Sequence, residues 1–361
     1  MTKMSRWAVS AVGLVSAMLL LSGCGPGAAR SPTPTGTVPP LIEQPVPITT
    51  AVEQPITVIP LVGPAGSPEA EISGMAWYGN YLVLLPQYPD RVATQGEGAV
   101  YALRKEDIIA FLDEGGGYAF QPLEITFSAP GLAQQVAGFE GYEAIAFTEG
   151  QVFLTIEAGQ AGGMQGYLVS GSVAPDLSEL RIDPETLTEV PAQTQVSNMS
   201  AEALLVAGDL LVVIHEANGA ALNPQPMAHL FDRELAFLGT LSFPNIEYRI
   251  ADVTLPDSSG RFWGINTFFP GDTHLRPVSD PLAEQFREGA THARFDTVER
   301  LVEFRAVPSG ISLAGSPPIQ LVLVDDDHAR NWEGVVRLDG RGFLLVTDEH
   351  PETILAFVPL P

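Results

Sequence analysis

From about residue 55 onward the chain reads as short apolar runs separated by Gly, Asn, Asp and Ser, with almost no helical periodicity. One pattern recurs five times. A first run opens with Ser73-Gly-Met-Ala-Trp, Glu143-Ala-Ile-Ala-Phe, Glu202-Ala-Leu-Leu-Val, Asp252-Val-Thr-Leu and Glu333-Gly-Val-Val-Arg. A turn follows each, at Tyr78-Gly79-Asn80, Thr148-Glu149-Gly150, Ala207-Gly208-Asp209, Asp257–Gly260 and Asp339-Gly340. A second run then crosses Tyr81–Leu85, Val152–Ile156, Leu210–Ile214, Arg261–Ile265 and Phe343–Val346, and stops at a polar residue: Gln87, Glu157, Glu216, Asn266 or Asp348. The step from first to last polar position is 14 residues in four units and 15 in the fifth.

Short strands repeated as units predict an all-β chain, a β-propeller of five blades. Leu180–Asp183, His229–Asp232 and Ala293–Asp296 read as a recurring third hairpin, served by Val100–Leu112 in the first blade and Thr353–Phe357 in the last. Successive units start 70, 59, 50 and 81 residues apart, mostly longer than the roughly 40–50 residues of compact blades. Loops therefore carry insertions, the longest at 270–290 with a short helix. Six blades is the alternative, with a further unit around Ile319–Val324. The last blade runs out of chain after three strands, so Ile56–Leu61 is expected to supply its fourth and close the ring.

The N-terminus follows a different logic. Lys3 and Arg6 precede the largely apolar run Trp7–Leu21, too short for a spanning helix, which needs about 20 residues, and suited to a signal peptide. Leu21-Ser22-Gly23-Cys24 resembles the lipobox of bacterial lipoproteins, in which the cysteine is lipidated. Cys24 is the only cysteine, so an internal disulfide is excluded. Seven prolines between Pro26 and Pro47 describe an extended tether. The expected organisation is a signal peptide over 1–23, a lipidated Cys24 and tether over 24–54, and a propeller over 55–361. The protein would sit in the cell envelope on the extracytoplasmic face, with the membrane as a partner through its lipid.

Charge narrows the ligands. With 43 Asp+Glu against 18 Lys+Arg, the net charge of −25 repels a phosphate backbone and argues against nucleic acid as a partner. The first strand of each blade lines a propeller's channel, so Ser73, Glu143, Glu202, Asp252 and Glu333 would form a ring. Converging carboxylates repel and resist desolvation, so protons or a cation must sit among them. Oxygen donors suit Ca²⁺, which takes about six to eight of them. Small residues beside the ring (Gly74, Ala144, Ala203, Gly334) would permit close backbone approach. In an antiparallel blade, Glu157 and Glu216 return to the same mouth and, with His215, are the candidates for proton transfer.

This ordered set is similar to that of the calcium-activated nucleotidases (apyrases), and to the phytase-like, esterase-like propeller domain of exported bacterial proteins. Ile72-Ser73-Gly74-Met75 looks like the first of their motifs and Asn331-Trp-Glu333-Gly-Val like the last. The resemblance implies a central Ca²⁺ held by Ser and Glu side chains, and hydrolysis of a phosphoester or carboxyl ester. One departure stands out: the apyrases carry a basic pair after an aromatic run near the fourth blade, whereas 262–272 holds no Arg or Lys. Arg249 and Arg330 are the remaining phosphate-facing candidates, with Arg91 behind them. The competing expectation is a non-catalytic surface propeller with a structural calcium that binds an extracellular partner. Nucleophile-elbow, zincin, thiol and EF-hand patterns are absent. The glycine-rich stretch 159–166 reads as a loop, and the run 325–327 as a solvated turn.

Overall fold

The computed structural model describes residues 51–348, 350 and 352–361. The expected signal segment, Cys24 and most of the tether lie outside the described residues. Two short strands come first, β1 (Val52–Gln54) and β2 (Thr57–Ile59). The first blade is β3 (Ile72–Tyr78), β4 (Tyr81–Pro86), β5 (Ala99–Arg104) and β6 (Leu123–Ser128). The second is β7 (Phe139–Thr148), β8 (Gln151–Gln160), β9 (Gly163–Val173) and β10 (Glu179–Val190). The third is β11 (Ala201–Ala207), β12 (Leu210–His215), β13 (Met227–Phe231) and β14 (Phe237–Ser242).

The fourth blade has β15 (Arg249–Val253), β16 (Arg261–Phe268) and β17 (Val298–Val307), with β18 (Gly310–Leu313) and β19 (Ile319–Leu321) sharing the outer edge of β17. The last contains β20 (Trp332–Leu338), β21 (Gly342–Thr347) and β22 (Leu355–Pro359). Its fourth strand is β2, antiparallel to β22 with Val58 opposite Ala356, so the N-terminal strand closes the ring as the pattern predicts. Around the axis β3 packs on β7, β7 on β11, β11 on β15, β15 on β20 and β20 on β3. This closed circuit of first strands is a β-propeller. Separate apolar cores fill the gaps between neighbouring blades. Among the described residues no helix is long and apolar enough to cross a membrane.

Several sequence expectations need correction. Ile319–Leu321 is the strand β19, bonded to β17 on one side and to β1 on the other, within the fourth blade's sheet. The three presumed equivalents of a third hairpin are not equivalent. Leu180–Asp183 lies in an outermost strand, His229–Phe231 in a third strand, and 293–296 in a turn. After Arg104 the first blade runs straight into a helix, Lys105–Glu114, which a glycine in the left-handed conformation ends. The stretch 159–166 is the tip of the long β8–β9 hairpin. Val52–Gln54, which the sequence places in the tether, adds parallel to β19. There Glu53 Oε1 accepts from the backbone N–H groups of Thr291 and His292 (2.8 and 3.0 Å), pinning the long insertion.

Candidate axial carboxylate site

Every blade breaks its own ladder at the ring residue. Register shifts fall between Ile72 and Gly74, Tyr142 and Ile145, Ala201 and Ala203, Ile250 and Val253, and Trp332 and Gly334. Ser73, Glu143, Glu202, Asp252 and Glu333 are therefore each set off from regular pairing. A bulge bends a strand and re-aims a side chain, here at the same step of all five first strands. All five residues are at most 7% exposed. The small neighbours are needed for close approach: a Cβ on Gly74 would stand 2.8 Å from the Glu143 carbonyl oxygen, and one on Gly334 3.2 Å from the Met75 nitrogen.

The five do not act alike. Glu143, Glu202 and Glu333 share one electrostatic cluster with Glu157 and Glu216. Ser73 donates instead to the Tyr142 carbonyl (2.6 Å), and Asp252 Oδ2 accepts from the Val335 N–H (2.8 Å). Each of these bonds ties one blade's first strand to the next. At the mouth, Gln87 Nε2 donates to Glu143 Oε1 (3.2 Å).

Among the described residues, one cation sits among the five acids. Arg249 Nε donates to Glu216 Oε1, one Nη donates to Glu333 Oε1 (3.0 Å) and the other to Asn331 Oδ1 (2.9 Å). Asn331 Nδ2 donates in turn to Asp348 Oδ2 (2.8 Å), and Asn266 Nδ2 donates to the Arg249 carbonyl (2.9 Å). So the second polar ring buttresses the first. A single guanidinium cannot neutralise five carboxylates. Burial pushes Glu143 and Glu202 well above the ordinary carboxylate range, and their acidic neighbours push them further. Burial also raises Glu157 and Glu216 to about 7 and Glu333 to about 8, against the lowering pull of the Ser200 hydroxyl on Glu157 and of Arg249 on all three. Asp252 is raised by burial although two backbone N–H groups oppose the shift. Burial works against the Arg249 charge, but Glu216, Glu333 and Glu202 more than offset it.

Two oxygens in this cluster, Glu157 Oε1 and Glu216 Oε2, are buried with no hydrogen bond of good geometry, as is Ser200 Oγ, although the Ser200 hydroxyl lies close enough to lower Glu157. Orphaned acceptors are costly and call for a donor or a cation. The donor set is all oxygen and suits a hard cation. Among the described residues, no three acidic side chains are already gathered as a ligand set. A bound cation would therefore have to draw them together and loosen the hold on Arg249.

The remaining candidates lie elsewhere. His215 sits apart from this cluster: its Nδ1 accepts from the Ala217 N–H (3.1 Å), and its Nε2 lies 3.3 Å from Thr194 Oγ1. Adjacent residues at the end of a strand face opposite ways, which separates His215 from Glu216. Burial and His229 lower the His215 pKa to about 4. Arg330 is bound to Glu299 (2.7 Å) and to the Val322 carbonyl, over the Trp332 ring. Arg91 pairs with Glu71 over the face of Tyr88. Ser200 is a participant the sequence reading misses; its only signal is a hydroxyl two residues before a ring acid. Beside the cluster lies a cleft of about 480 Å³, lined by Arg249, Asn331 and Arg330 together with Phe268, Asp272 and His350.

No family model and no curated protein matches the chain. Among solved structures it is similar to a glucose dehydrogenase at 12% identity and a TM-score of 0.43, covering 84% of this chain and 100% of that one. An α-L-arabinanase from Cellvibrio cellulosa matches at 11% identity and 0.41, covering 79% and 88%. An exo-β-1,3-galactanase from Phanerochaete chrysosporium matches at 6% and 0.47, covering 84% and 64%. Superpositions this loose do not set one protein's side chains on another's, and no activity is carried across.

Proposed function

We propose that the protein is a lipid-anchored envelope propeller whose axial carboxylates bind Ca²⁺, and that it hydrolyses a phosphoester or carboxyl ester presented at the cleft beside Arg249. The observation that carries this reading is the pair of buried oxygens with no hydrogen bond of good geometry, Glu157 Oε1 and Glu216 Oε2, inside a cluster of five acids that holds one arginine. Glu143, Glu157, Glu202, Glu216 and Glu333 would hold the ion. Ser73 and Asp252 serve the site by fixing the spacing of adjacent first strands. When bound, such an ion supplies Lewis acidity at a scissile group. The residues themselves supply two further things. Arg249 offers its charge at the cleft wall to an anionic oxygen. Glu157 and Glu216, poised at about 7, can exchange protons near neutral pH.

A non-catalytic propeller with a structural calcium is the second reading. It is favoured by burial: Glu216 has no exposed surface, so a substrate cannot reach it without movement. Calorimetry of the full-length chain with calcium and with chelator tests the shared premise, because a ligand that binds only the folded state raises its melting temperature. The rise should vanish in Glu202→Gln and persist in the exposed control Glu149→Gln. Equal responses in both variants, or none in the wild type, would remove the axial site. A phosphoester and carboxyl-ester screen on the same samples then separates the readings. Calcium-dependent turnover makes the protein an enzyme, and stabilisation without turnover makes it a binding module.

A further inference from the structure

The C-terminal halves of the first strands enclose a second space, at the opposite end of the channel from the carboxylate cluster. Its volume is about 130 Å³, and its walls include Met75, Ile145, Leu204, Val253 and Val335. An apolar cavity of about 150 Å³ takes up benzene, so this one has room for about six carbons. Trp77 and Phe147 are partly open to solvent, and Leu255 is 52% exposed, which gives the space an apolar rim.

Two charged side chains also border it, Arg337 and Asp252. Asp252 already accepts the Val335 N–H. Arg337 is different: its half-buried side chain feels the charge of Asp257, whose Oδ1 is already engaged by Ser259 and the Arg261 N–H, and its own Nε is buried without a partner. It lies 6.0 Å from the centre of the Phe343 ring. A buried guanidinium N–H with no acceptor is unfavourable, and it is unexpected in a chain with 43 acids. An acceptor bonded to that Nε, and an apolar group to fill the space, are what this end of the channel lacks.

We propose that this cavity binds a short amphipathic monocarboxylate, its tail among Met75, Ile145, Leu204 and Val335 and its carboxylate on the fork of Arg337. Asp252 on the same wall already accepts the Val335 N–H and offers a carboxylate no charged donor, which leaves Arg337 as the place for the head. The site is independent of the axial calcium reading and stands if that reading fails.

Titration calorimetry on the full-length chain tests it with three six-carbon probes: hexanoate, hexan-1-ol and hexylamine. Hexanoate should bind at least tenfold tighter than hexan-1-ol. Arg337→Gln should abolish that advantage while leaving hexan-1-ol affinity unchanged, which also shows the cavity intact. Arg337→Lys, keeping the charge without the fork, should recover part of it. The proposal is overturned if hexanoate shows no binding, if Arg337→Gln and the wild type bind it equally, or if hexylamine binds more tightly and so assigns the cavity to a cation on Asp252.

Discussion

Arg249 is the residue on which the axial cluster most depends, since among the described residues it alone bonds with positive charge to the buried acids. Removing one partner of a buried ion pair costs about 3–5 kcal/mol, because the other charge stays behind uncompensated. Arg249→Met should lose stability of that order at pH 8 in chelator, measured by urea unfolding, and much less at pH 5, where the acids hold protons. A pH-independent loss would mean that packing dominates. The wild type should carry a related signature. Glu157 and Glu216 titrate at about 7 and Glu333 at about 8 in the fold, against an ordinary value of 4.5. Above pH 4.5 the folded chain therefore keeps protons that the unfolded chain has released. Their contribution is complete below 4.5 and drains away as pH rises to about 8. His215 runs the other way: its folded value of about 4 lies below the ordinary 6.5, so its contribution is lost as pH falls between them. His328, which its bond to Asp325 holds above the ordinary histidine value, loses its contribution in the same direction, so the window from 6.5 to 8 isolates the carboxylates in a His328→Gln background. There the melting temperature of the chelated protein should fall, and calcium should flatten the fall. A chelated protein equally stable across that window would show that the three acids lose nothing by ionising.

At the scale of strands, the unit of design is a bulged first strand with a small residue at its tightest approach. Gly74→Ala tests this, since the new Cβ would meet the backbone oxygen of Glu143 at 2.8 Å, where no rotamer change gives relief. Overpacking of this kind costs about 1–3 kcal/mol. Gly79→Ala meets nothing within 4 Å and suffers only from its φ of +58°, so denaturant unfolding should rank Gly74→Ala as the more damaging. Both positions were legible in sequence, because the polar-small-apolar opening repeats at near-constant spacing and a turn glycine follows it. The ring acids and the closing strand were legible for the same reason. The partition of the ring was not. Whether a polar residue joins a charge cluster, as Glu202 does, or spans two blades, as Ser73 does, depends on what the neighbouring blade offers its oxygen. That neighbour lies some seventy positions away along the chain in the case of Ser73 and Tyr142. Outer strands were misread because nothing fixes them to a common step. The first blade inserts a helix where the second continues a long hairpin, and β6 and β10 then pair in parallel across the two.

In the molecule as a whole, each blade buries its faces against two neighbours, so the ring is stable only when it closes. The join between the last blade and the first is made by a core that draws Ile59 of β2 together with Leu338 and Leu355 of the last blade and Ile72 and Leu84 of the first. Ile59 has no exposed surface, although β2 is only three residues long. Contacts across this join link residues some three hundred positions apart, such as Thr57 and Phe357. Such contacts form late, because the loop they close is long. Deleting residues 1–60 removes both β1 and β2, which unpairs the outer edges of β22 and β19 together. A strand stripped of its partner presents a free row of N–H and C=O groups that recruits other chains. The truncated protein should therefore melt at a markedly lower temperature and self-associate in size-exclusion chromatography, and adding a peptide that spans residues 51–61 should reverse part of both effects. If the truncated chain stays monomeric with an unchanged melting temperature, the closing strand contributes nothing to the ring, and the last blade is stable with three strands.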